Sequence, residues 1–167
     1  AVYRFESGSI TTDASGNGHT LSENGDPAAN TSLYREGSAS LEIDGTGDFM
    51  TSASTDFDVD TGNDFIVSSW FYIGNLASKI LVGKWDLYND GWAIRIHGSD
   101  PYYVKFEGYR DYSGTSCNTE FAPSTGTWYH FVLFYDDDAE NEVVFWISST
   151  SSFGDQVNGT AYNCDYN

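Results

Sequence analysis

Positive charge is what this chain has least of. Lys and Arg together number 7 against 25 Asp and Glu, a formal net charge of −18. Nucleic-acid binding needs a basic footprint, so this balance argues against such a partner. It argues equally against anionic membrane surfaces, which attract basic segments. It fits work in salt or calcium-rich surroundings, or simple solubility. Long apolar runs are missing too, and without a run of about 18 residues there is no transmembrane helix. No Gly-x-Ser-x-Gly elbow and no phosphate loop occur. The three histidines, His19, His97 and His130, are scattered with no Cys/His spacing, which disfavours zinc. Carboxylates at the alternating spacing of a glycoside hydrolase are also lacking. Glu42 and Asp44 stand two apart, but Asp44-Gly45 reads as a turn, and Glu107 and Asp111 flank Arg110 in a loop. The expectation is a protein that is not an enzyme.

Cysteine is nearly absent. Cys117 and Cys164 both lie in polar surroundings, GTSCNTE and YNCDYN. An even count is compatible with one disulfide and an oxidising compartment, and two free thiols are the alternative. Asn30-Thr31-Ser32 and Asn158-Gly159-Thr160 match the glycosylation acceptor pattern, which arises often by chance. The chain begins at Ala1 without Met, which fits a removed signal peptide and equally a trimmed chain.

What is plentiful is aromatic: 12 Tyr, 11 Phe and 5 Trp, or 17% of the chain. Gly, Ser, Thr, Asn and Asp supply the rest of a mixture that favours strands and turns over helices. Residues 1–6 (AVYRFE) alternate as a half-buried strand would. The polar stretch 7–37 is unusually long for a loop in a compact domain, so something must pin it, and a metal is one candidate. Strands are expected at 39–43, 49–51, 65–72, 79–85, 92–97, 102–106, 128–135 and 142–147. Segment 65–72 is apolar on both faces and reads as a central strand. Residues 108–118 read as a Tyr- and Gly-rich loop, Asp136-Asp137-Asp138 as a solvated turn, and the tail 148–167 holds no convincing core strand. Trp70, Trp128 and Trp146 sit mid-strand and read as core. Together these predict one all-β domain over residues 1–167, a two-sheet antiparallel sandwich.

Five landmarks occur in order: YRFE at 3–6, DASGNGH at 13–19, SLEIDG at 40–45, FIVSSW at 65–70 and TWYHF at 127–131. In this order they resemble the laminin-G-like, concanavalin A-like jelly-roll domains of secreted proteins. The resemblance implies a jelly-roll sandwich, an extracellular or cell-surface setting and a role in adhesion or carbohydrate binding. It also implies calcium held by the 13–19 loop. Asp13 and Asn17 would bind by side chain and His19 by its carbonyl, with Glu6 completing the shell. Calcium takes six to eight oxygens, and an alternating glycine-rich loop can converge them; an Asx-turn loop without an ion is the alternative. The family's closing G-x-I-D-E-V-R-I-Y strand has no match here, so the first strand is expected to lack its usual neighbour. Such an edge invites strand addition.

Sugar recognition combines aromatic walls with a few placed polar groups. Trp85 and Asp86, and the loop Tyr109-Arg110-Asp111-Tyr112, carry those types, although Trp85 and Trp92 could equally be core or hairpin-pair residues. Two functions follow as expectations. One is a calcium-stabilised, lectin-like binding module for glycan or a cell-surface protein. The other is a structural subunit of a filament or surface assembly built edge to edge.

Overall fold

A computed structural model describes residues 1–55, 64–84, 91–98, 101–110, 113–118, 121–136, 143–149 and 160–164, with 109, 110, 113–118 and 160–164 described by their backbone. The described residues hold strands and no helix, and all strand pairing is antiparallel. They form two compact units, 1–56 and 57–167.

Among the described residues of the N-terminal unit, Ala39 and Pro27 are the buried apolar ones. Two short ladders organise it. Strand β1 (Ser22–Asn24) pairs with β4 (Phe49–Thr51), and β2 (Ala28–Asn30) pairs with β3 (Ser40–Glu42). These ladders are part of what pins the long polar stretch. Residues 1–6 are not the strand their alternation predicts. They make only isolated bridges, Tyr3 to Asp13 and Glu6 to Ser9. The reason is local: Phe5 adopts φ +52°, outside the extended region, and the Val2 amide is taken by the Asp13 side chain.

The C-terminal unit is a β-sandwich of two four-stranded sheets. The first has the order β12 (Thr160–Cys164), β11 (Val143–Ser148), β10 (Trp128–Tyr135), β5 (Phe65–Tyr72). The second runs β6 (Lys79–Lys84), β7 (Gly91–His97), β8 (Tyr103–Arg110), β9 (Ser113–Asn118). Alternation decides what lies between them. Phe71, Tyr129, Phe131, Leu133, Tyr135, Val143, Phe145 and Ile147 from one sheet meet Trp92, Ile94, Ile96, Val104 and Phe106 from the other. The rings of Phe65 and Trp92 touch across the gap at 5.1 Å. Phe121 links both layers: its carbonyl accepts from the Val104 amide, and its ring stands edge-on to Tyr129 at 5.2 Å.

Three expectations are corrected here. Among the described residues β5 ends its sheet rather than lying within it, paired to β10, with Ile66 66% exposed. Residues 108–118 are no loop: β8 continues to Arg110 and returns as β9. The tail does contain a strand, β12, which pairs with β11. Both missed strands, SGTSCN and TAYNC, are small and polar, so period-two hydrophobicity could not reveal them.

Candidate functional site

The Asp13 loop forms as a loop, but around hydrogen-bond donors. Oδ1 of Asp13 accepts from the amides of Val2 and Ser15, both at 2.9 Å. Oδ2 accepts from the Ser15 hydroxyl at 2.8 Å and the His19 amide at 3.1 Å. The Asn17 amide donates to Ser15 Oγ, and the His19 carbonyl accepts from the Tyr3 hydroxyl at 2.7 Å. The Val2 amide, helped by the other donors and against the cost of desolvation, holds the Asp13 carboxyl well below the usual range. Glu6 is engaged elsewhere: its carboxylate accepts from the Ser38 amide at 2.8 Å and from the Ser38 hydroxyl. The structure thus brings Asp13, Asn17 and His19 into one network and sends Glu6 to another.

A cation needs lone pairs aimed at a common point. In this loop those of Asp13 are taken by N–H and O–H donors, which a calcium ion would have to displace. Among the described residues, no group of three or more His, Cys, Asp or Glu is placed to hold a metal ion.

Asp48 does similar work, accepting from the amides of Asp26 at 2.9 Å and Asp44 at 3.2 Å. Its hydrogen bond to Asp26 and the nearby negative charges push the Asp26 carboxyl up. Carboxylates therefore satisfy backbone amides that no strand ladder reaches.

The sugar-binding residues read from the sequence fall largely out of view. Trp85, Asp86, Asp111 and Tyr112 lie outside the described residues, and Tyr109 and Arg110 end β8 with only their backbone described. Asn158 and residues 137–138 also lie outside. Asn30 is committed: its oxygen accepts from the amides of Ser32 and Leu33, and its Nδ2 donates to Glu42 at 3.0 Å. Trp92 is core, as one of the two alternatives for it held. Glu107 is paired with two cations. Burial pushes its carboxyl up, but Lys105 at 2.7 Å and Arg95 at 2.9 Å more than offset this and hold it low.

The feature that sequence reading missed is the other face of the first sheet. Trp70, Trp128 and Trp146 are not in the core; they alternate with it. Along β5, Ile66, Ser68, Trp70 and Tyr72 point away from the core, as do Trp128, His130, Val132 and Phe134 on β10 and Val144 and Trp146 on β11. The register sets Trp128 opposite Tyr72, His130 opposite Trp70, and Val132 between Ser68 and Trp146. The rings of Tyr72 and Trp128 lie 5.5 Å apart. Trp70 lies 4.8 Å from the buried His130, whose Nε2 bonds Ser68 Oγ at 3.0 Å. Large half-buried rings thus surround a fixed polar pair. The sequence signal was present: Ser68, His130 and Ser148 share the tryptophans' parity, and polar residues mark an outward face.

No protein-family model matches the chain, and neither a curated protein nor a solved structure matches it.

Proposed function

We propose that this chain is a non-catalytic, lectin-like extracellular binding module that takes glycan on the aromatic outer face of the β12-β11-β10-β5 sheet. The observation that carries this reading is the cluster of Trp70, Tyr72, Trp128 and Trp146 around the Ser68–His130 hydrogen bond. An aromatic ring stacks on the apolar face of a sugar, while an exposed hydroxyl such as that of Ser68, oriented by His130, bonds its hydroxyls. The strong negative charge suits a neutral or calcium-screened glycan better than an anionic one. The cation is not part of the binding step in this reading.

The test is a glycan array followed by titration of the best ligand against Trp70→Ala and Trp128→Ala. Losing one stacking ring is expected to weaken binding about tenfold, with the fold retained and only the modest drop in Tm that loss of a half-buried cross-strand ring brings. An array without hits, or unchanged affinity in both variants, would sink the proposal.

A second reading has its own support. β5 has no strand partner on its outer side among the described residues, and Ile66 there is 66% exposed. Such an edge suits pairing with another copy, as in a filament or surface assembly. Fibres seen by negative-stain microscopy, without array hits, would put this reading first.

A further inference from the structure

We propose that Cys117 and Cys164 form an intramolecular disulfide that joins the two sheets where β9 meets β12. Each cysteine lies on the edge strand of a different sheet. In the register Cys117 stands opposite Phe106, and Cys164 opposite Val143. Phe106 and Val143 are both buried in the core between the sheets, at 1% exposure each. Residues directly opposite in an antiparallel ladder share a face, so both cysteines hold core-face positions.

The two strands also approach one another. β9 and β12 come within 8 Å, Cα to Cα, whereas stacked sheets usually lie about 10 Å apart. A disulfide spans Cα separations of about 4.4–6.8 Å, and the two strands that carry the cysteines are the ones that draw nearer than stacked sheets usually do. The chain has 2 cysteines, so within one molecule the pairing is unique.

The chemistry is ordinary exchange. The two thiols lose two protons and two electrons as the S–S bond forms. A small disulfide such as oxidised glutathione accepts them, its own S–S bond breaking to release two thiols. The closed loop runs from 117 to 164 and contains β10 and β11. Closing it restricts the unfolded chain far more than the folded one.

The full chain would be incubated with oxidised glutathione, unfolded without reductant and treated with a maleimide. The expected result is no label, an intact mass about 2 Da below the reduced chain, and a digest fragment joining the two cysteine peptides. Two labels, glutathione adducts on both sites or a covalent dimer would overturn the proposal. As a second measurement, reduction is expected to lower Tm by about 10 °C. The C117S/C164S variant should melt like the reduced protein and ignore reductant. Identical melting of oxidised and reduced wild type would also overturn it.

Discussion

Each oxygen of the Asp13 carboxylate accepts two hydrogen bonds, and the donors are the amides of Val2, Ser15 and His19 and the Ser15 hydroxyl. Replacement by Asn keeps the shape but turns one acceptor into a donor facing donors. Asp13→Asn is therefore expected to speed hydrogen exchange at the amides of Val2, Ser15 and His19. Equal exchange in both proteins would refute the pinning role. The acid response has a definite sign. Because folding lowers the Asp13 pKa, the unfolded chain takes up the proton first as pH falls. The stabilisation is complete above about pH 4 and drains away below it. In Asp13→Asn this acid-sensitive part should vanish. The sequence displayed the loop plainly as Asp-x-Ser-x-Asn-x-His, and acceptor chemistry was legible there. Which donors would fill it was not, because Val2 reaches Asp13 only through the fold-back of residues 1–6.

At the scale of the element, the core strands were legible because strict alternation of large apolar residues leaves little choice of face. β5 and β10 have the boundaries expected for them. Alternation also held the outward tryptophans, but aromatic residues on both faces of one strand mimic full burial, and that hid the candidate site. β9 and β12 carry too little apolar surface to be visible and are strands because β8 and β11 offer them an edge. Close strand approach gives a further test. A Cβ added at Gly83 would sit 2.4 Å from the Trp92 carbonyl oxygen and 2.9 Å from Ala93 Cα, both backbone atoms. Gly83→Ala must push β6 off β7, and a loss of about 2 kcal/mol is expected in denaturant titration. A variant as stable as wild type would mean that the two strands are not packed this closely.

For the whole molecule, the contrast lies in how the two units satisfy their backbones. The C-terminal unit does so with long ladders around an aromatic core, the N-terminal unit with short ladders and carboxylates. Since donors fill the lone pairs of Asp13, a chelator in excess should leave Tm unchanged, measured against protein with added calcium. A ligand bound only by the folded form must raise Tm, so a rise with calcium would restore the ion to the Asp13 loop. The outward tryptophans have one more consequence. Trp92 is sealed between the layers, while Trp70, Trp128 and Trp146 sit on the opposite side of their sheet. Fluorescence from the latter group responds to whatever settles over them, while the enclosed Trp92 indole stays constant. The molecule carries its own optical label.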